Sequence, residues 1–168
     1  MKTYKQFIGK DKPKDTITIK TSQTADSRSC DFQNVSKDTL LKSSKQHIGD
    51  IKKGLVYFSN KLKEIADKHD HDKISDIDGF YKNFITGFKS VDWYDNHKKV
   101  NRHHLNDPDG IPDDVNLLDV IEHVVDCVMA GKARTGEVFD LNLSSDILQR
   151  ALKNTVEHLK DIVEVKDA

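Results

Sequence analysis

Apolar residues recur at steps of three and four along most of this chain, which is the spacing of one helix face. Between Asp38 and Lys68, Ile51, Leu55, Phe58, Leu62 and Ile65 share a register with His47 and His69. A second helix is expected from a cap at Ser75 or Asp76 to about Phe88, carrying Ile77, Phe80, Tyr81, Phe84, Ile85 and Phe88. A third is expected from Asp92 through Leu105. On it Trp93, His97, Asn101 and His104 fall on one face, and His103 points elsewhere as long as the helix stays regular. Pro112 suits the first turn of a fourth helix, running to about Ala130 and ended by Gly131. Ser144 or Ser145 caps a last helix to about Val163, with Ile147, Leu148, Ala151, Leu152, Val156, Leu159 and Ile162 facing a core.

Alternation of the strand kind is confined to two short stretches, Thr16-Ile17-Thr18-Ile19 and Val138 to Leu143, and the first has no obvious partner. The pattern therefore predicts an all-α bundle of five or six helices over residues 37–168. Before it, residues 1–36 read as an extended or partly disordered arm, with seven basic residues against four acidic ones. No internal repeat and no second domain is evident.

Composition narrows the function classes. The chain is 36% hydrophobic and 33% charged, so its core must come from these well-patterned segments. Net charge is −1, which argues against a general nucleic-acid binder. No apolar run is long enough to span a bilayer, and the start lacks a secretory apolar stretch, so a soluble, cytoplasmic protein is expected. Cys30 and Cys127 are far apart, and Cys127 sits in an apolar run, which suits a small core residue in a reducing compartment.

Histidine changes the picture most. There are eight, and six of them lie between residues 69 and 123. His69-Asp70-His71-Asp72-Lys73 packs two His-Asp steps and a lysine into five residues. On the helix after Pro112, Asp119, Glu122, His123 and Asp126 make one polar stripe on an otherwise apolar surface. Buried charges of that kind must be paired or bound to metal, because lone ones are costly. Imidazole and carboxylate without thiolate suit Mn, Fe, Co or Zn rather than a structural zinc finger. One or two divalent ions could activate water and neutralise a phosphoryl group. Distance sets one condition. His47 and His69 are 22 residues apart, about 33 Å along an unbroken helix. Either His47 is no ligand, or the helix breaks near residues 57–62, where Ser59-Asn60 favours a turn.

The ordered set His47, His69-Asp70 with Lys73, and Asp126 resembles the H…HD…D signature of the HD-domain superfamily, in an HDxxK form. It is closer to short phage and bacterial HD-like proteins that carry an HxxxNxHH block, here His97 to His104, and an ExxxD pair, here Glu122 and Asp126. The likeness spans roughly residues 44–134. It implies an HD-like helical bundle and metal-dependent hydrolysis of a nucleotide or other small phosphoester. The first eight residues are also similar to the starts of small proteins of T4-like phages, which implies a phage-encoded protein. By position, His47, His69, Asp70 and Asp126 would hold one ion. His97 and His104, with His103 in reserve, would hold a second or meet phosphate, and Asp70 could bridge. Lys73 would orient Asp70 or neutralise phosphate. Glu122 would fix a histidine tautomer or act as general base. Arg102, Lys132 and Arg134 would clamp phosphate. Mg is a further candidate ion. His71-Asp72 competes for the ligand role, and His69-Asp70 is preferred because it leaves Lys73 at the family spacing. Two other readings stay open: an HD-type diiron oxygenase, and a non-enzymatic phage accessory or virion-associated protein.

Overall fold

A computed structural model describes residues 15–22, 33–89 and 91–167. Most of the expected N-terminal arm, residues 1–14 and 23–32, lies outside the described residues. Among the described residues the protein is all-α apart from one two-stranded ribbon. In chain order the elements are β1 (Ile17–Lys20), α1 (Lys37–Ala66), α2 (Asp72–Ser75), α3 (Ile77–Phe84), α4 (Val91–Val100), a 3₁₀ turn (Pro108–Gly110), α5 (Leu117–Thr135), α6 (Ser145–Ile162) and β2 (Val163–Lys166). No helix among the described residues is long and apolar enough to cross a membrane.

The chain divides into two compact units. One contains Lys61–Glu157, and the other contains the described residues up to Asn60 together with His158 onward.

In the second unit, the stretch that alternates in sequence does form a strand. Its partner is the C-terminal segment: β1 pairs in parallel with β2, Ile17 opposite Val163 and Lys20 opposite Lys166. The ribbon lies along α1, where Gln46 Nε2 donates to the Lys20 carbonyl at 2.8 Å and Lys53 Nζ to the Thr18 carbonyl at 2.7 Å. Tyr57 and His158 are joined by a 2.6 Å hydrogen bond. The expected break near 57–62 is absent, since α1 is continuous from Lys37 to Ala66. Ser and Asn cost a helix only a few tenths of a kcal/mol each, too little to stop an uninterrupted pattern.

In the first unit, the core is Leu105, Val115, Ile147 and Ala151, flanked by Ile111, Leu117, Val120 and Leu143. Side chains of α6 secure the start of α5. Thr155 Oγ1 accepts from the Leu117 N–H at 2.9 Å, and Asn154 Nδ2 donates to the Val115 carbonyl at 2.8 Å.

Three helices have boundaries that differ from the sequence pattern. The Asp76 side chain caps α3 through the Gly79 N–H at 3.1 Å, as expected, but the helix stops at Phe84. α4 ends at Val100 rather than Leu105, and the Asn101 side-chain amide bonds the His97 carbonyl at 3.0 Å. A side chain that bonds its own backbone in this way offers the chain an alternative to further helix. α5 starts not at Pro112 but after Asn116, where Asn116 and Asp119 form a capping box, and it runs through Gly131 to a left-handed Gly136 at φ 80°.

Candidate metal centre

The 69–73 stretch follows α1 as a run of turns leading into α2. Asp70 takes a left-handed backbone at φ 52°, and its N–H donates to Asn101 Oδ1 at 3.2 Å. A non-glycine residue held there is uncommon and needs its surroundings to fix it. This turn directs Asp70 towards four histidines from three segments. Two groups of side chains bring ligand atoms within 4.8 Å of one another: His69, Asp70 and His103, and Asp70, His97 and His104. Asp70 belongs to both. Its Oδ1 is 3.5 Å from His97 Nε2 and 3.6 Å from His103 Nε2, and its Oδ2 is 3.6 Å from His69 Nε2.

The outer nitrogens are held by carboxylates. Glu122 Oε1 accepts from His69 Nδ1 at 2.9 Å and from His103 Nδ1 at 3.1 Å. Asp72 Oδ2 accepts from His97 Nδ1 at 2.8 Å. With their Nδ1 atoms engaged by carboxylates, the Nε2 atoms of these three histidines face Asp70, and a cation binding there would displace the proton that His69 carries. Asn101 Nδ2 donates to Asp72 Oδ1 at 2.9 Å, so one amide ties the Asp70 backbone to the carboxylate that orients His97. Lys73 Nζ forms an ion pair with Asp70 Oδ2.

Burial shows what such a cluster lacks. Asp70 Oδ1, His103 Nε2 and His104 Nε2 are buried and make no hydrogen bond. Leaving polar atoms so costs about 1–3 kcal/mol each, unless something binds them. All three point to the ligand role, and the donor set is oxygen and imidazole, so these residues fit a divalent cation.

Electrostatics divides the histidines. Asp126, then Glu122 and Asp70, push the His69 imidazole up to about 10, against the opposing effect of burial. Burial, with His103 and His97 nearby, drives His104 down to about 4, which leaves it neutral and ready to bind metal at pH 7. Burial also lowers His97, and Asp72 and Asp70 only partly offset it. Burial pushes Glu122 up, but the hydrogen bonds from His103 and His69 outweigh it and hold the carboxyl at about 2.

The other expected site residues are placed as follows. His47 lies on the unbroken α1, nineteen residues before its end, about 28 Å along the axis, and belongs to neither group. With no fold-back in α1, the expected place of His47 beside His69 is corrected. His103, expected to point elsewhere, is buried in the cluster, because the helix has already ended. Asp126 Oδ1 stands 3.7 Å from His69 Nε2, outside both groups. His71 is exposed, its Nδ1 on the Lys68 carbonyl at 3.0 Å, and Asp72 orients His97 instead of competing with Asp70.

Arg102 is no phosphate clamp here. It forms a fork with Asp119, Nε to Oδ1 at 2.7 Å and an outer nitrogen to Oδ2 at 2.8 Å, and bonds Asp114 at 2.9 Å. Lys132 and Arg134 are exposed at the far end of α5, where Lys132 bonds the Gly136 carbonyl at 3.2 Å. The polar stripe of α5 is paired throughout: Asp119 with Arg102, Glu122 with two histidines, His123 Nδ1 with the His103 carbonyl at 2.8 Å, and Asp126 beside His69.

Sequence reasoning missed the roles of Asp72 and Asn101, although their spacing from the histidines was a usable signal. It also missed Gly110, where an added Cβ would lie 2.6 Å from the His104 carbonyl oxygen. Only glycine lets the 3₁₀ turn press against the histidine loop. Comparisons with family models, with curated proteins and with solved structures each return no match.

Proposed function

We propose that this chain is a metal-dependent phosphohydrolase of HD type, acting on a nucleotide or another small phosphoester. The observation that carries the reading is Asp70, a carboxylate shared by two histidine groups, with buried polar atoms around it that bind nothing else. His69, Asp70 and His103 would hold one divalent ion, and Asp70, His97 and His104 a second. Bound there, divalent ions lower the pKa of water and neutralise phosphoryl charge. Glu122 and Asp72 fix the histidine tautomers. Lys73 holds Asp70 and supplies a cation beside an incoming phosphate. Asp126 adds a carboxylate next to the first group. In the reaction a water oxygen bonds to phosphorus, the ester P–O bond breaks, and the departing oxygen takes up a proton. Glu122 is a positioning residue in this reading and not the base, because its oxygen is already shared by two histidines.

The test is metal content and phosphate release. The protein equilibrated with Mn²⁺ is expected to hold about two ions per chain and to release phosphate from a panel of nucleotides and sugar phosphates. Asp70→Ala is expected to lose both ions and the activity. Retained metal in that variant, or no phosphate from any member of the panel, would overturn the reading. The shared carboxylate between imidazole pairs also suits two irons. Iron content with an oxygen-dependent absorption band and no phosphate release would favour the oxidative alternative.

A further inference from the structure

α1 is thirty residues long, and the only one of them that is buried is Ser43. A helix of that length is held by packing an apolar face more than by its own propensity. The face exists. Leu41, Ile48 and Leu55 recur every seven residues, with Ile51 three residues after Ile48 and Phe58 three after Leu55. Leu41, Ile48, Ile51 and Leu55 are 50%, 66%, 52% and 65% exposed. The ribbon does not use this face. Gln46, Asp50, Lys53 and Tyr57, whose side chains bond β1, one another or His158, lie about 180° away around the helix at roughly 100° per residue.

We propose that α1 pairs with α1 of a second copy of this chain as a parallel coiled coil along Leu41, Ile48, Ile51 and Leu55. A repeat of seven, rather than the drift of an isolated helix, keeps one seam against a supercoiled partner. The flanks choose a like partner and its direction. Lys45 and Lys52 line one edge of the seam, and Leu40, His47 and Gly54 line the other. In a parallel pair each edge meets the opposite edge of the partner, so the lysines face Leu40 and His47 and not each other. An antiparallel pair would set lysine against lysine. Gly54 adds a separate observation. A Cβ there would meet nothing within 4 Å, so packing inside the chain does not require glycine at this helix-weakening position. At the edge of a seam it lets a second backbone approach. Ser44 is the one polar interruption. Covering the seam in both copies removes on the order of 1,000 Å² from water, which is about the least that a specific interface buries.

Sedimentation of the full chain at about 50 μM tests this, with helix content followed by circular dichroism. The wild-type protein is expected to sediment at twice 19.1 kDa. Ile48→Lys and Leu55→Lys are each expected to sediment as monomers with unchanged helix content and unchanged metal content. Because both side chains are exposed, these variants do not depend on a core. Leu41→Cys in a Cys30→Ser background is expected to oxidise to a covalent dimer, since only parallel pairing brings the two Leu41 positions together; Cys127 is buried and leaves no competing thiol. A monomeric wild-type chain overturns the proposal, and means that the chain itself or another protein covers the seam. A dimer unmoved by either lysine variant, or no covalent dimer from Leu41→Cys, overturns it as well. Metal binding and hydrolysis are read separately, so failure here leaves the metal centre untouched.

Discussion

Arg102→Met tests whether Arg102 holds the fold or serves a substrate. Asp119 is 2% exposed, and its carboxylate takes two hydrogen bonds from the Arg102 guanidinium and one from the Asn116 N–H at 2.8 Å. Removing one partner of a buried ion pair strands the other, at a cost of about 3–5 kcal/mol. A chain of this size has of the order of 10 kcal/mol in total, so the loss is a large part of it. At a urea slope near 2 kcal/mol per M, the midpoint should fall by about 2 M. The single tryptophan, Trp93, lies in the unit concerned, so its fluorescence reports that unit's unfolding. The loss should depend on pH. Burial pushes the Asp119 carboxyl above its ordinary value, and Arg102 opposes that push. Without Arg102 the folded-state pKa rises further above the unfolded one. A group shifted that way binds its proton more tightly in the folded state, so the penalty is full at pH 8 and shrinks as pH falls through the folded pKa. The gap from wild type is therefore expected to narrow between pH 8 and pH 5. Adding Asp119→Asn, which keeps an oxygen for the Asn116 N–H, should recover much of the loss at pH 8. A loss below about 1 kcal/mol, or a gap that does not narrow, would refute the structural role and return Arg102 to the substrate.

Gly110→Ala is expected to displace the His104 carbonyl and cut metal content from about two ions to one, because the clash falls on His104, which belongs only to the second group; two full sites measured by elemental analysis would contradict the close approach. Asn101→Ala removes the amide that joins the Asp70 backbone to Asp72, and should weaken metal affinity about 10–100-fold by calorimetry, as losses of such supporting hydrogen bonds do. Glu122→Gln should weaken the first site more than the second, since His97 is oriented by Asp72; equal losses at both would show the two groups to be one. His47→Ala should leave metal content and phosphate release unchanged, and loss of either would mean that His47 reaches the centre after all.

The helices, their apolar faces and the stripe on α5 were legible in sequence because periodicity is a local property. The concentration of histidine near His69-Asp70 was legible too, since few other roles need so many imidazoles beside carboxylates. What the chain's order hides is where regular structure stops. His103 looked misdirected because it was phased on a helix through Leu105, but α4 ends at Val100 and the loop turns His103 inward. His47 looked close to His69 only through a break that local propensities were too weak to make. Arg102 looked free for phosphate because a charge does not reveal its partner, and Asp119 is seventeen residues away on α5. β1 lacked a visible partner because β2 lies at the other end of the chain. Sequence by itself determined the helical class, the polar stripe and the kinds of atom available for a metal. Tertiary structure alone decided which of those atoms converge, because convergence on Asp70 depends on a left-handed turn held by Asn101, thirty-one residues further on, and on histidines that three separate segments bring to it.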